Sequence, residues 1–86
     1  MKDLEKIIKA LANRRRLAII KFISTQREAS VGDIAGHLRL SIKATSKHLS
    51  VLGHADILDK EQKSKQVYYF LASPSHSLIR HVLSLF

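Results

Sequence analysis

The 86-residue chain contains no cysteine, no tryptophan, one proline and three glycines. The absence of cysteine excludes disulfide bonds, thiol nucleophiles, cysteine-bound zinc and thiol-based redox sensing. The scarcity of proline and glycine, together with 45% hydrophobic residues, is typical of an ordered globular chain. Because the chain is too short for two hydrophobic cores, residues 1–86 are predicted to form a single domain.

Long hydrophobic runs and catalytic motifs are also missing. The longest early hydrophobic run covers only residues 17–20, so we expect neither a signal peptide nor a membrane span. The sequence has no glycine-rich phosphate loop, no clustered pair of carboxylates, and no histidine with an evident serine or aspartate partner. These absences argue against an enzyme.

Acidic residues are scarce as well. Seven Asp and Glu stand against fifteen Lys and Arg, which gives a formal net charge of +8. Such a charge attracts polyanions through counterion release and long-range steering, and nucleic acid is the leading candidate partner. A basic surface also keeps a protein soluble, so the charge alone does not distinguish these two interpretations. The arrangement of the charges along the chain has to distinguish them.

Hydrophobic spacing and capping residues predict five helices, at about residues 3–12, 14–25, 30–38, 41–52 and 74–86. Asn13 is a predicted cap between the first two helices, and Ser30 and Ser41 are predicted N-caps of the third and fourth. The second helix is hydrophobic over so wide an arc that we place it in the core. Pro74 is predicted in the first turn of the last helix.

Residues 57–71 have a different pattern, which predicts a β-hairpin. A charged segment separates two hydrophobic stretches, and the second stretch is rich in β-branched and aromatic residues. We interpret Tyr68, Tyr69 and Phe70 as sheet and core residues rather than as base-stacking platforms. Two short helices, a tight turn between them and a following hairpin predict a mainly α fold with a small β-hairpin. This is a winged helix-turn-helix with about five helices and a two-stranded wing.

The fourth helix is the predicted recognition helix, because the second helix of such a pair enters the major groove of DNA. Thr45, Leu49 and Leu52 form its inward face. The residues predicted to meet DNA are Ser41, Ile42, Lys43, Ser46, Lys47, His48 and Ser50. The hydroxyl and ammonium groups suit phosphates and base edges, and Ile42 suits a thymine methyl. His48 is interpreted either as a residue at the edge of the core or as a phosphate donor. For the helix as a whole, the alternative interpretation is that its polar face is simply solvated and does not contact DNA.

The tip of the wing carries the second predicted DNA contact. Lys60, Lys63, Ser64 and Lys65 lie close together in the sequence there. Their positive charges and hydroxyl are suited to gripping the phosphate backbone beside the groove. A solvated loop without a partner is the alternative interpretation.

Four motifs follow one another along the chain: residues 10–17 (ALANRRRL), 30–35 (SVGDIA), 41–52 (ending in SKHLSVL) and 67–71 (VYYFL). In order and spacing they resemble the signatures of ArsR-type transcriptional regulators, and the resemblance covers nearly the whole chain. It implies a prokaryotic, homodimeric repressor that binds double-stranded DNA, with its recognition helix at residues 41–52. A cytoplasmic, nucleoid-associated protein is expected on the same ground.

The chain departs from this family pattern at the metal sites. Metal-sensing members carry cysteines where this chain has Ala29, Ser30 and Val31, so the corresponding site is not expected here. A second family metal site would rest on His76 and His81 alone, which do not share a helical face. We therefore expect no metal ion and no cofactor, and the residues do not identify an effector.

The resemblance also raises a question at two turns. The family tends to place glycine where this chain has Arg39 and Asp56, after the third and fourth helices. Glycine suits such positions because it adopts positive φ angles without strain. Either these two turns differ here or two non-glycine residues accept the strained conformation.

The two terminal helices, at about residues 3–12 and 74–86, are predicted to form a two-fold dimer interface. Both have broad hydrophobic faces that a domain of this size cannot cover by itself. The predicted interface residues are Leu4, Ile7, Ile8, Leu11, Ile79, Val82, Leu83 and Phe86. The alternative is that these faces only pack on their own core. A dimer would present two recognition helices to successive major grooves and read an inverted repeat.

A rival interpretation comes from another class of function. The same winged helix would use its hydrophobic helices to bind a protein partner, with only non-specific binding to DNA. Weak, salt-sensitive and sequence-independent DNA binding would distinguish this module from a transcriptional regulator.

Overall fold

The computed structural model describes residues 2–86, which form five helices and three β-strands. In chain order these are α1 (Lys2–Leu11), α2 (Arg14–Gln26), β1 (Ala29–Ser30), α3 (Val31–Leu38), α4 (Ile42–His54), β2 (Leu58–Lys63), β3 (Gln66–Leu71) and α5 (Ser77–Leu83). Helices α3 and α4, joined by three residues, form a helix-turn-helix, and β2 and β3 form the wing that follows it. The predicted winged helix-turn-helix is therefore confirmed, and the first four helices agree with their predicted ranges within two residues.

Polar side chains begin the helices that build the site. The carboxamide oxygen of Asn13 accepts two backbone N–H groups in the first turn of α2, at 2.9 and 3.1 Å. The Ser41 hydroxyl accepts the backbone N–H of Ala44 at 3.0 Å and begins α4, and Ser30 caps α3 in the same way. These contacts satisfy donors that have no partner within the helix. The three predicted caps are confirmed.

The core is built around α2, as predicted. Ile19, Ile20 and Ile23 of this helix are completely buried, and so are Leu49 and Leu52 of α4. Burial of each such side chain contributes about 1.5–3 kcal/mol to folding. Because α2 contacts α1, α3, α4 and β3, it fixes the position of the helix-turn-helix relative to the wing.

The sheet has one strand more than the predicted two-stranded wing. Strand β2 pairs antiparallel with β3, and the two residues of β1 pair with the other edge of β3. The ends of the wing ladder are Leu58 opposite Leu71 and Lys63 opposite Gln66. A two-residue strand has no alternating pattern, so β1 leaves no signal in the sequence. In β3, Tyr68, Tyr69 and Phe70 are half-buried, as expected of sheet residues.

The last helix is shorter than predicted. The prediction of a helix over residues 74–86, with Pro74 in its first turn, was wrong, because α5 covers Ser77–Leu83. Nδ1 of His76 accepts the backbone N–H of Leu78 at 3.0 Å and begins the helix two residues after the proline. At the other end, the N–H of Leu85 donates to the carbonyl oxygen of Val82 at 3.0 Å, and this tighter turn ends the α-helical pattern.

The turns after α3 and α4 hold non-glycine residues in the left-handed region. Arg39 has a φ angle of 55° and Asp56 has one of 59°. At the end of α3, the N–H of Leu40 returns to the carbonyl oxygen of Ala35 at 3.0 Å, which closes the turn around Arg39. Two non-glycine residues therefore accept the conformation, at a cost of about 1–2 kcal/mol each.

Arg39→Gly is expected to raise the free energy of unfolding by up to about 1 kcal/mol, because it removes the Cβ that disfavours a positive φ angle. For a domain of this size, the midpoint of thermal unfolding should rise by about 4–8 °C per kcal/mol. Arg39→Ala is the matched control, since it removes the same side chain but keeps the Cβ. A midpoint of Arg39→Gly at or below that of Arg39→Ala would show that the turn is not strained.

Candidate nucleic-acid interface

Helix α4 is held against the core by one face. Thr45, Leu49 and Leu52 are completely buried, as predicted. The Thr45 hydroxyl donates to the carbonyl oxygen of Ser41 at 2.9 Å, so the one polar side chain on this face is satisfied inside the core. The opposite face of α4 is left to solvent.

This exposed face carries most of the residues predicted to meet DNA. Six of them are exposed, namely Ser41, Ile42, Lys43, Ser46, Lys47 and Ser50. Ile42 is 55% exposed although it is a large hydrophobic residue. No acidic residue occurs in α4, so no negative side chain of this helix interrupts the surface. The face therefore favours a negatively charged partner.

A groove of about 300 Å³ separates α4 from the wing. Ser46 and Ser50 line its α4 side, and Asp59 and Lys60 line its β2 side. Helix α4 and the wing thus lie next to each other across this groove. In this arrangement, a winged helix can contact the major groove and the adjacent phosphates together.

The four predicted wing residues differ in their surroundings. Lys60, Ser64 and Lys65 are exposed, and neither lysine forms an ion pair with another of the described residues. The ammonium of Lys63 lies 2.9 Å from both carboxylate oxygens of Glu28, and this hydrogen bonding raises the pKa of Lys63. Lys63 is therefore paired within the chain, and contact with a phosphate would require this pair to open.

His48 lies at the edge of the core, on the flank of α4 that meets α2. Its Nδ1 is 3.4 Å from Nη1 of Arg16. Burial lowers the pKa of His48, and the positive charges of Arg16 and Arg15 lower it further. These effects favour the uncharged form of the imidazole.

The residues predicted to form the dimer interface divide into two groups. The first group, buried in the core of the protomer itself, is Ile7, Leu11 and Ile79. The second group keeps solvent-accessible surface and consists of Leu4, Ile8, Val82, Leu83 and Phe86. Within it, Ile8 is 51% exposed and Phe86 is 48% exposed. Surface available to a partner is therefore concentrated in the second group.

A family model described as "Bacterial regulatory protein, arsR family" matches residues 13–60, more than half of the chain. The chain belongs to the arsR family of bacterial regulatory proteins. The matched segment runs from the cap of α2 into β2 and contains the complete helix-turn-helix. The resemblance inferred from the four sequence motifs is confirmed.

Curated relatives are regulators of transcription. The transcriptional activator HlyU of Vibrio cholerae is 36% identical over 67 residues, which cover 78% of this chain and 61% of HlyU. The cadmium resistance transcriptional regulatory protein CadC of Listeria innocua is 35% identical over 63 residues, which cover 73% of this chain and 53% of CadC. The chain thus matches somewhat more than half the length of these relatives.

Solved structures share the fold. HlyU from Vibrio cholerae superposes with a TM-score of 0.86 at 30% identity, over 99% of this chain and 92% of that chain. Mb0332 from Mycobacterium bovis, a homodimeric winged helix-turn-helix DNA-binding domain, gives a TM-score of 0.83 at 25% identity, over 98% of this chain and 74% of that one. The family and these relatives are regulatory proteins and not enzymes, as expected.

The positions at which metal-sensing members carry cysteine have structural roles in this chain. Ala29 and Ser30 form β1, and Ser30 also caps α3. Within the described part of the chain, no three His, Asp or Glu side chains lie together in a group suited to a metal ion. None of the helices in residues 2–86 has the length and hydrophobicity needed to cross a membrane.

Two contacts at the site involve residues that the sequence does not single out for DNA binding. Arg16 meets His48, 32 positions further along the chain, and Glu28 meets Lys63, 35 positions further along. No helical or strand spacing connects residues so far apart. Their only signals in the sequence are a run of three arginines and the general scarcity of acidic residues.

Glu28→Gln is expected to raise the affinity for duplexes of any sequence by about two- to fivefold at low salt, because it frees Lys63 to contact a phosphate. The slope of log affinity against log salt concentration should steepen by about 0.9, the value for one further phosphate contact. Fluorescence anisotropy with a labelled duplex at several salt concentrations measures both quantities.

Glu5→Gln is the matched control for this substitution. Glu5 pairs with Lys9 on α1 at 3.2 Å, and its replacement changes the net charge by the same amount. If both variants change affinity and slope equally, the net charge alone accounts for the effect and Lys63 has no specific role.

Proposed function

We propose that the chain is a homodimeric transcriptional regulator that binds double-stranded DNA, reads an inverted repeat, and represses transcription where that repeat overlaps a promoter. One observation carries the proposal. The exposed face of α4 has no acidic residue and lies across a groove from the lysine-bearing wing. With a net charge of +8, the chain attracts DNA to this surface.

In the proposed complex, α4 enters the major groove. Lys43 and Lys47 lie one turn apart on the exposed face and reach phosphates or guanine acceptors. Ile42 contacts a thymine methyl. The small hydroxyls of Ser46 and Ser50 hydrogen-bond phosphates or base edges and let the backbone of the helix approach closely.

The wing holds the neighbouring phosphate backbone without reading the base sequence. Lys60, Ser64 and Lys65 supply the contacts, and Lys63 joins them once its pair with Glu28 opens. This mode of binding uses no metal ion and no cofactor. Binding to genomic DNA would locate the protein in the cytoplasm, at the nucleoid.

A second copy of the chain is the proposed partner in assembly. Ile8 of α1 and Phe86 beyond α5 expose hydrophobic surface that a two-fold contact would bury. The homodimeric state of Mb0332, a structural neighbour, supports this arrangement. Two-fold symmetry would set the two α4 helices about 34–36 Å apart, so that the DNA site has two half-sites separated by one helical turn.

Selection of bound duplexes from a random pool at physiological salt is expected to recover an inverted repeat. Against that duplex, Lys47→Ala and Ser46→Ala should each lose about 1–3 kcal/mol of binding free energy and relax the base preference. Lys65→Ala is the control from the wing and should weaken binding to all sequences alike. Recovery of no sequence motif would contradict the proposal and favour a protein-interaction module with non-specific DNA binding.

Ile8→Glu is expected to convert the dimer into a monomer, because an unpaired charge in a hydrophobic interface is strongly unfavourable. Sedimentation velocity measures the change in mass. Ile42→Glu is the control, since it introduces the same charge at an exposed isoleucine on α4, outside the proposed interface. A dimer that persists in Ile8→Glu would exclude Ile8 from the interface.

A further inference from the structure

One guanidinium group links the end of α1 to the recognition helix. Arg16, half-buried in the first turn of α2, donates from Nε to the carbonyl oxygen of Ala10 at 2.5 Å and from Nη2 to that of Lys9 at 3.4 Å. Both carbonyl groups belong to the last turn of α1, where a helix lacks internal donors for its C=O groups. These two contacts fix the orientation of the guanidinium and leave Nη1 for a third partner.

The third partner is His48 of α4. Nη1 of Arg16 lies 3.4 Å from its Nδ1. A guanidinium has donors only, so Nδ1 is the acceptor, and the proton of a neutral imidazole is then on Nε2. Burial and the charges of Arg16 and Arg15 lower the pKa of His48, which keeps the ring neutral. Arg16 thus selects one tautomer of His48, with Nε2–H as a donor.

The Nε2 atom of His48 is not fully buried. Among the described residues it has no hydrogen-bond partner, and no buried side-chain nitrogen or oxygen lacks one. Two residues advance an α-helix by about 200°, so His48 lies on the opposite flank of α4 from Ser46. Ser46 lines the groove beside the wing. The Nε2–H group is therefore on the flank of the recognition helix that the wing does not reach.

We propose that Arg16 is a positioning residue that holds His48 as a neutral Nε2–H donor to a DNA phosphate on the groove wall away from the wing. The inference rests on the proposed function, since the phosphate belongs to DNA bound by α4. The DNA backbone would then be contacted on both sides of the recognition helix, by lysines of the wing on one side and by His48 on the other. A neutral donor orients the helix without adding to the salt-dependent attraction.

The variants His48→Asn and His48→Gln distinguish the roles of the two ring nitrogens. Asparagine keeps a polar atom near Nδ1, as an acceptor for Arg16, whereas glutamine keeps an amide N–H near Nε2. Affinity for the selected duplex should fall about three- to tenfold in His48→Asn, which loses the donor, and only about twofold in His48→Gln, which keeps the donor but loses the acceptor for Arg16. Arg16→Ala should cause no further loss in the His48→Asn background, because its effect on binding passes through His48.

The salt dependence distinguishes a neutral phosphate donor from a charged one. The slope of log affinity against log salt should be the same in His48→Asn as in the wild type, because a neutral donor releases no counterion, whereas Lys47→Ala should flatten it. Equal losses of affinity in His48→Asn and His48→Gln, or a flattened slope in His48→Asn, would overturn the proposal.

Nitrogen NMR of the free, isotope-labelled protein tests the tautomer without DNA. His48 should be the Nε2–H tautomer in the wild type and a mixture of tautomers in Arg16→Ala. An Nδ1–H tautomer or a protonated ring at neutral pH in the wild type would overturn the inference even if DNA binding were intact. Failure of the wild type to bind any duplex would instead refute the proposed function, so the two failures are distinguishable.

Discussion

The burial of α2 among the other elements is the constraint on which the rest of the structure depends. Ile19, Ile20 and Ile23 have no exposed surface, and their helix contacts α1, α3, α4 and β3. On α4, the burial of Leu49 and Leu52 leaves one direction in which the polar face can point. The surface proposed to contact DNA is therefore the part of the helix-turn-helix that is not buried in the core. Its orientation is a consequence of core packing.

Features that depend on neighbours in the sequence could be predicted. Each N-cap side chain accepts a backbone N–H two or three residues further along, so its residue type predicts where the helix begins. This holds for Asn13, Ser30 and Ser41. The inner face of α4 repeats with helical spacing, and the outer face follows from it. At Arg39 and Asp56, the departure from the family's glycines marked two turns as unusual. In the structure, the two turns keep their left-handed conformation, and both residues adopt positive φ angles.

Features that depend on pairs brought together by the fold could not be predicted. Strand β1 is too short to have a period of its own and exists because β3 offers it an edge. The contacts of Arg16 with His48 and of Glu28 with Lys63 join elements that are far apart in the chain. The hydrophobic faces of the terminal helices have the same pattern whether they face their own core or a partner. The sequence therefore could not distinguish core residues from interface residues on these helices. The buried members, such as Ile7, could be separated from the exposed ones only in the folded protein.

Helix α4 and the wing together form the proposed DNA-binding surface. Its most direct test is a titration of the isotope-labelled protein with a short duplex, in which amide chemical shifts are followed residue by residue. The predicted result is that the shifts concentrate at residues 41–50 and 60–65, while the amides of the core isoleucines of α2 change little. Shifts confined to α1 and α5, with α4 and the wing unaffected, would contradict the claim and place the DNA contact, or the partner, on the terminal helices.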